Sequence, residues 1–231
     1  MSVLAPNRSE QRNRSELAYD LIRQDILHGQ LFPSDKLSLE GLSERYGIGT
    51  VPLREALNRL SSEGLVERKS HRGFFVSTIS MTDLEELVKT RVWLETLALR
   101  ESIANGDDSW EEELVLSYHR LSRTHRKLPT DEGAEISEEW EALHRGFHIL
   151  LLNRCGSKQL LTFCSSLMDQ SVRYRSLSLN TTSNQLRREG AAAEHQDILN
   201  ATLERKADLA CELLTHHYKT TLEGLRHVIP R

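Results

Sequence analysis

Four of the ten histidines stand at positions from which their imidazoles could bind one metal ion together. His144 and His148 are four residues apart, so in a helix both side chains project from one face, about a turn apart. His195 and His217 follow in two later stretches with helical spacing. Neutral imidazoles are common ligands of divalent transition metals. In a helical bundle, three helices could bring the four rings together, although a pair at this spacing also occurs on charged helices that bind no metal.

Metal-bound histidines also occur in enzymes, so a metal-dependent hydrolase is one function that the four histidines could serve. Open three-histidine zinc sites activate water. In the HExxH arrangement a glutamate follows the first histidine and serves as the general base, whereas here Arg145 follows His144. No Ser-His-Asp or Cys-His signature and no glycine-rich phosphate loop stand out in the sequence. A third possibility is a helical interaction protein in which the histidines are incidental.

The histidines lie in a long C-terminal segment whose apolar residues recur every three or four positions. This spacing is typical of amphipathic helices, and the segment shows almost no strand signal. We therefore predict an all-α bundle of six to seven helices whose interior could hold a ligand. The helices are predicted at residues 81–104, 109–127, 136–153, 157–177, 183–203 and 206–226.

The N-terminal segment has a different pattern, with three short helices. A polar arm over residues 1–14, which we expect to be mobile, precedes a helix at 15–27. Ser38 is the expected N-cap of a second helix, and a glycine-containing break at 46–49 separates that helix from a third at 50–63. Two short helices joined by such a turn form a helix-turn-helix, whose second helix enters the major groove of DNA.

Two short strands are predicted after the third helix, at residues 63–68 and 73–77. They flank Lys69, Ser70, His71 and Arg72, which make a basic hairpin tip. A hairpin in this position is a wing. The predicted fold is therefore mainly α, a winged helix-turn-helix followed by a helical bundle.

Length and charge fit two domains but do not reveal the partner. The 231 residues suffice for two hydrophobic cores, which we place at residues 15–78 and 79–231. The net charge is −4, and residues 1–78 carry 11 Lys and Arg against 10 Asp and Glu, a balance too even to indicate DNA binding alone. The three cysteines form no CxxC pair, and neither a membrane span nor a signal peptide is evident. We therefore expect a cytoplasmic protein.

Several motifs of the N-terminal segment match a known pattern: Leu37, Leu42, Pro52-Leu53-Arg54-Glu55-Ala56-Leu57, Leu60, Glu63-Gly64-Leu65-Val66 and Arg72-Gly73-Phe74-Phe75-Val76. On these residues, the stretch 15–77 resembles the DNA-binding domain of the GntR family of bacterial regulators. The resemblance implies that an arginine at the position of Arg54 contacts operator DNA and that wing residues approach the minor groove or the phosphates. The DNA-contacting residues that we expect are Thr50, Arg54, Asn58, His71, Arg72 and Gly73.

One position departs from the usual pattern of this recognition helix. Many relatives begin it with Ser-Arg-Thr-Pro, whereas this chain has Gly49-Thr50-Val51-Pro52. Arginine can read guanine O6 and N7 together, which threonine cannot. We therefore expect an operator sequence that differs from the usual one of the family.

The C-terminal segment contains a second set of matching motifs: Arg91-Val92-Trp93-Leu94-Glu95, His144-Arg145-Gly146-Phe147-His148, Cys155-Gly156-Ser157, Glu194-His195-Gln196-Asp197-Ile198-Leu199 and Ala210 to His217. On these residues, nearly all of the stretch 80–227 resembles the FCD ligand-binding domain of the FadR-type branch of GntR regulators. In many FCD domains an aspartate and three histidines bind a metal, and the matching positions are His144, His148, His195 and His217. His144 stands where relatives usually carry the aspartate. Four imidazoles favour zinc, or nickel, over magnesium or calcium.

The FCD resemblance also implies a small carboxylate as effector. Arg91 is the first candidate to hold it, because a guanidinium can bind two oxygens in one plane, but an ion pair with Glu95 is an equal alternative. Arg173 and Tyr174, with Arg175, form a second candidate cluster. Arg173 and Arg175 lie about 200° apart around a helix, so we expect at most one of them to face the ligand.

Together the two resemblances imply a transcription regulator, which we expect to be a repressor. We expect a homodimer whose two heads bind a near-palindromic operator, because the symmetry of the dimer matches that of the DNA. An organic acid bound in the helical domain would change the affinity for DNA.

Overall fold

The computed structural model describes residues 8–130, 133–177, 184–226 and 229, and the chain divides into two compact units. The first unit comprises Met1–Ile79 and the second Ser80–Arg231. Each unit has its own buried core, built from leucine, isoleucine and aromatic side chains. No helix within the described ranges is long and apolar enough to cross a membrane.

The first unit contains three helices: α1 (Arg8–Leu27), α2 (Leu39–Tyr46) and α3 (Thr50–Ser62). Helix α1 begins inside the stretch 1–14 that the sequence predicts to be an arm. The reason is local, because residues 8–14 contain arginine, glutamate and glutamine and neither glycine nor proline. Ser38 is the N-cap of α2, as predicted, and its side chain accepts a hydrogen bond from the Gly41 amide.

Three antiparallel strands complete the first unit: β1 (Lys36–Leu37), β2 (Val66–Lys69) and β3 (Gly73–Val76), in the order β1-β3-β2. Strands β2 and β3 form the predicted wing, with Val66 opposite Val76 and Lys69 opposite Gly73. Strand β1 was not predicted, because two residues are too few to show a period.

In its described part, the second unit contains the six predicted helices, with bounds that differ from the prediction by a few residues. Its first helix, α4, packs against the helices at Ala207–Leu225 and at Lys158–Leu177. The helices are α4 (Met81–Asn105), α5 (Asp108–Arg123), α6 (Glu138–Leu152), α7 (Lys158–Leu177), α8 (Asn184–Leu203) and α9 (Ala207–Leu225).

The prediction that the second unit is entirely α-helical is wrong at one place. Strands β4 (Lys127–Thr130) and β5 (Gly133–Ile136) form an antiparallel hairpin between α5 and α6. Helix α5 ends at Arg123, four residues before the predicted end, because Thr124 is extended. Pro129 cannot continue a helix, and an edge strand tolerates its missing amide. The period of such short strands was not visible in the sequence.

Candidate functional site

The structure brings the four histidines together inside the second unit. Helix α6 supplies His144 and His148, α8 supplies His195, and α9 supplies His217, and all four are buried. One ligand atom from each residue lies within 4.8 Å of those of the other three. The closest measured pair is His148 Nε2 and His195 Nε2, 3.2 Å apart. Two nitrogens bound tetrahedrally to one zinc ion, each at 2.0–2.1 Å, lie about 3.3 Å apart, so this spacing suits a shared metal.

The apolar side of α6 explains why its two histidines face inward. Ser137 begins the helix, and its side chain accepts a hydrogen bond from the Trp140 amide. Phe147 and Leu151, fully buried, anchor the same side. With 3.6 residues per turn, His144 and His148 must then point into the interior with them.

Burial keeps His144 and His148 uncharged in the absence of a metal. The pKa of His144 and of His148 lies well below 6.5, chiefly because burial disfavours the imidazolium, and secondarily because neighbouring histidines and arginines repel it. Near neutral pH each of these rings therefore has a nitrogen lone pair available. Buried, neutral and convergent imidazoles are what a divalent transition metal requires, so the residues present fit such an ion.

His217 has a carboxylate behind it. Its Nδ1 lies 2.7 Å from Oε2 of Glu194, on α8. A histidine that ligates a metal almost always gives its other ring N–H to such an acceptor, which fixes the tautomer and the ring orientation. This contact leaves His217 Nε2 for a metal.

The phenol of Tyr218 lies behind His148, and the carboxylate of Glu95 lies next to that phenol. The Tyr218 hydroxyl lies 3.3 Å from His148 Nδ1 and donates to Glu95 Oε2 at 2.5 Å. Burial, together with Glu95, raises the pKa of Tyr218 well above 10, so the phenol stays protonated. Tyr218 therefore links His148 to the acidic group on α4.

His144 has different surroundings. Its ring stacks on Trp140, with centroids 4.7 Å apart and planes at 19°. Its Nδ1 is buried and has no hydrogen-bond partner in the described part of the chain. The closest carboxylate is that of Glu141, whose Oε1 lies 3.9 Å away. Glu194 supports His217 and Tyr218 supports His148, but His144 has no such hydrogen-bonded support among the described residues.

Arg91 forms the ion pair that was one of its two predicted roles. Its Nε lies 2.6 Å from Oε1 of Glu95, and its Nη1 donates to Ser171 Oγ at 3.0 Å. Its guanidinium also lies 4.2 Å from the centroid of the Tyr218 ring. Burial alone would lower the pKa of Arg91, but Glu95 more than offsets this, and the net shift is upward. Effector binding by Arg91 stays a prediction, and it would have to compete with Glu95.

The second arginine cluster is oriented differently from the expectation. Arg175 donates Nη1 to Ser171 at 3.2 Å and Nη2 to Glu141, beside His144. Arg173 is buried, but its electrostatic neighbours are Tyr174 and Asp83, at the start of α4. Of the two arginines, Arg175 is the one that contacts Glu141 beside the histidines. Arg173 lies two residues before it, about 200° around the helix. Effector contact by Arg173 or Tyr174 stays a prediction.

The expected DNA-contacting residues lie on the surface of the first unit. Thr50, Arg54 and Asn58 are exposed and four residues apart, so they share one face of α3. His71, Arg72 and Gly73 are exposed at the tip of the wing, where His71 has φ 58° and Gly73 φ 94°. The structure thus presents two separate polar edges, one helical and one hairpin.

Two other arginines of the first unit have structural partners. Arg45 pairs with Asp25 at 2.6 Å. Arg59 pairs with Glu63 and lies 3.7 Å from the centroid of the Tyr19 ring. Arg54 has neither kind of contact among the described residues, which leaves its guanidinium available to an external partner.

Sequence reasoning missed the residues that surround the histidines. Glu141 is three residues before His144, Glu194 directly precedes His195, and Tyr218 directly follows His217. The i,i+3 spacing of Glu141 was a usable signal. Glu194 neighbours His195 in the sequence but supports His217, and Tyr218 neighbours His217 but supports His148. No local sequence pattern could therefore have found these two contacts.

Comparison with known proteins identifies the two units. The model described as "Bacterial regulatory proteins, gntR family" matches residues 14–76, and the FCD domain matches residues 86–220. The chain is 34% identical to the HTH-type transcriptional regulator BphR of Paraburkholderia xenovorans (strain LB400), over 93% of this chain and 86% of that one. It is 32% identical to the HTH-type transcriptional repressor GlaR of Escherichia coli (strain K12), over 88% and 92%.

A solved structure agrees with this result at the level of the fold. E. coli McbR/YncC superposes with a TM-score of 0.75 at 19% identity, covering 93% of this chain and 97% of that one. The matched families and relatives are transcriptional regulators and not enzymes, so the hydrolase alternative has no support. The chain belongs to the GntR family of DNA-binding transcriptional regulators, with a winged helix-turn-helix followed by an FCD domain.

Proposed function

We propose that this regulator is a repressor whose affinity for its operator changes when a small organic acid binds at a metal held by His144, His148, His195 and His217. The observation that carries the proposal is the convergence of four buried, mutually close imidazoles inside the FCD domain. A repressor is the choice because GlaR, to which the chain is similar, is named a repressor.

Zinc is the metal that we propose, with nickel as the second choice. The four donors are all nitrogens, which suit these ions better than magnesium or calcium. The ion would supply a positive charge to which a carboxylate oxygen can bind. The chain itself orients three of the rings, through Glu194, through Tyr218 and through the stack on Trp140.

The charges beside the histidines support an anionic effector. Two arginine–glutamate pairs, Arg91–Glu95 and Arg175–Glu141, share Ser171 between them. Each pair cancels its own charge, so the charge left in this region would be that of the metal, reduced by the Glu194 carboxylate behind His217. A carboxylate that reached the metal could take over an arginine from its glutamate. Arg91 and Arg175 are therefore the residues that we propose for effector contact, with Arg175 in place of Arg173.

The DNA interface that we propose combines the α3 face with the wing. Arg54, Thr50 and Asn58 would reach base edges in the major groove, and His71, Arg72 and Gly73 would contact the minor groove or the phosphates. Two such heads in a homodimer would bind the two half-sites of a double-stranded operator. Because operator DNA lies in the cytoplasm of a bacterium, we place the protein there.

Operator binding by Arg54→Ala tests the DNA interface. A bidentate arginine contact to guanine contributes about 1–3 kcal/mol, so we expect a loss of roughly 5- to 150-fold in affinity, measured by fluorescence anisotropy on a promoter fragment. Arg120→Ala, an exposed arginine on α5, is the matched control and should bind normally. Equal binding by wild type and Arg54→Ala would contradict the proposed recognition helix.

A thermal-shift screen tests the effector site. The protein, loaded with Zn²⁺ or treated with a chelator, is heated with a series of mono- and dicarboxylates. A ligand of the folded state stabilises it by about 2.7 kcal/mol at one hundred times its Kd. We expect an acid that raises Tm only in the loaded sample, and not in His148→Ala. A rise that is independent of metal would place the acid elsewhere.

A further inference from the structure

His144 is the residue at which this chain departs from the FCD pattern, and its surroundings depart as well. An aspartate ligand would bring a negative charge, whereas an imidazole brings none and has a second nitrogen to accommodate. That nitrogen, Nδ1, is buried without a hydrogen-bond partner in the described part of the chain. The replacement therefore leaves one polar atom beside the metal site that needs an acceptor.

Glu141 is placed to be that acceptor. It lies one turn before His144 on α6, it is buried, and its Oε1 is 3.9 Å from His144 Nδ1. Its other oxygen, Oε2, also has no hydrogen-bond partner among the described residues. A movement of about 1 Å would bring Oε1 within hydrogen-bond distance of Nδ1. The buried Nδ1 would then have the acceptor that it lacks.

We propose that Glu141 is a positioning residue, which accepts a hydrogen bond from Nδ1–H of His144 and so leaves Nε2 of that ring to bind the metal. The proposal rests on the metal site proposed above. Glu141 would supply the carboxylate that the four metal ligands lack, placed behind the His144 ring instead of on the metal itself. His144 would then resemble His217, which Glu194 already supports.

Arg175 holds Glu141 in position for this role. It donates to Glu141 Oε1 through Nη2 and to Ser171 through Nη1. Oε2 has no partner among the described residues, so the carboxylate keeps acceptor capacity for His144. The alternative is that Glu141 serves only as the ion-pair partner of Arg175, with no effect on the metal. The two roles differ in what happens when the ring N–H is removed.

Zinc affinity of the full chain, measured by competition with a chromophoric chelator, separates these roles. We expect Glu141→Gln to lower the affinity by about 10- to 100-fold, as the loss of such a supporting carboxylate does elsewhere. Glu139→Gln, two residues away on the exposed side of α6, is the matched control and should change nothing. Circular dichroism of the metal-free variants confirms that each is folded.

The same substitution in a His144→Asp background is the decisive measurement. Aspartate has no ring N–H, so Glu141→Gln should lose its effect there, and the visible spectrum of bound Co²⁺ should respond to Glu141→Gln only when residue 144 is histidine. Equal losses in both backgrounds, or no loss in either, overturn the positioning role while leaving the metal site intact. If the wild type binds no zinc, the metal site itself fails, and this inference fails with it.

A separate observation concerns the outer face of α4 and α9. Trp93 and Leu97 on α4 are 62% and 50% exposed, although both are large and apolar. A groove runs between this stripe and the exposed side of α9. It is lined by Trp93, Leu97, Arg100, Asp208, Glu212 and Lys219. An apolar stripe with a charged rim is typical of a surface that another protein covers.

The charges on this face are complementary to themselves. Glu86 and Arg100 are exposed and lie seven residues before and after Trp93, on the same side of α4. Arg100 also pairs with Asp208 of its own chain, with Nη1 2.7 Å from Oδ1. If two copies of α4 meet antiparallel at Trp93, Glu86 of one copy lies opposite Arg100 of the other. Glu212 and Lys219 allow the same exchange on α9. A two-fold contact requires this kind of self-complementarity.

We infer that the α4–α9 face is where two copies of this chain meet. Sedimentation equilibrium of the full chain without DNA tests this. Glu212→Lys alone and Lys219→Glu alone should each raise the dimer Kd by at least about tenfold, because each creates two like-charge contacts in the dimer. The double variant should recover the wild-type value. Arg120→Glu, on α5, is the control.

Two results would overturn this interface: a Kd that none of the variants changes, or a double variant in which the two losses simply add. A wild type that remains monomeric at all concentrations would also overturn it. None of these results bears on Glu141, because zinc affinity is measured independently of association.

Discussion

Three of the four imidazoles meet different second groups, and these groups decide what each ring can do. His217 has a carboxylate, His148 has a phenol, and His144 has an aromatic face and a carboxylate slightly too distant to bond. All of these contacts lie in the interior, where an unpaired polar atom costs more free energy than it would at the surface. The orientation of the four histidine rings therefore depends on the neighbouring side chains as much as on the histidines themselves.

Because His144 and His148 are buried as neutral rings, the stability of the metal-free protein should depend on pH. Their pKa values in the folded chain lie well below 6.5, whereas in the unfolded chain they return to about 6.5. Below that value the unfolded state binds more protons than the folded state. The stability contribution is thus complete above about pH 6.5 and is lost as the pH falls toward the folded-state values, by up to about 1.4 kcal/mol per pH unit for each histidine.

Urea unfolding of chelator-treated protein between about pH 7.5 and 5.5 measures this effect. The free energy of unfolding should fall with pH in the wild type. It should fall less steeply in a His144→Gln/His148→Gln variant, which has no such rings to protonate. Parallel pH curves for the two proteins would contradict the conclusion that His144 and His148 are neutral in the folded protein.

At the scale of elements, a single glycine allows α4, α5 and α6 to pack together. Gly106 is the C-cap of α4, and a Cβ there would lie 2.1 Å from Cε3 of Trp110. Trp110 is fully buried at the start of α5 and donates from its indole to the Leu150 carbonyl at 2.8 Å. The junction of the three helices thus depends on the absence of a side chain at residue 106.

We expect Gly106→Ala to destabilise the second unit by about 1–3 kcal/mol, because a rigid indole ring cannot move aside without losing its packing. Gly146→Ala is the matched control. Gly146 is exposed within α6, and a Cβ there would contact nothing within 4 Å, so alanine should stabilise the helix by about 0.5–1 kcal/mol. Denaturant unfolding followed by tryptophan fluorescence compares them, and equal stabilities would show that Trp110 adjusts freely.

At the scale of the whole molecule, regulation requires that a ligand of the second unit alter the affinity of the first for DNA. Such coupling is a free energy shared by two sites, commonly about 1–3 kcal/mol, and it acts equally in both directions. The arrangement of one site per unit is consistent with this requirement. Coupling of this kind is tested by binding measurements on the full chain.

If an acid weakens operator binding by about 5- to 150-fold, saturating operator DNA should weaken binding of that acid by the same factor. Isothermal titration of the acid into the metal-loaded protein, with and without operator, measures the second value. His148→Ala should show neither effect while still binding DNA. Unequal factors would mean that the acid acts on a step other than the binding equilibrium.

The sequence determined the features that depend on local patterns. The helix-turn-helix, the wing, the Ser38 cap and the six C-terminal helices follow from hydrophobic period, capping residues and turn residues, which short stretches carry by themselves. The spacing of His144 and His148 likewise places them on one helical face. The resemblance of both segments to known regulators added which exposed residues should meet DNA, and the family comparison confirmed the class.

Only the tertiary structure decided which groups meet across helices. It paired Arg91 with Glu95 where a carboxylate clamp was equally open, turned Arg175 toward His144 instead of Arg173, and set Glu194 behind His217. It also put a hairpin where linker and helix were expected. The physical reason is that such contacts depend on the rotation and depth of each helix in the bundle. Those are set by packing of the whole core, and no local pattern encodes them.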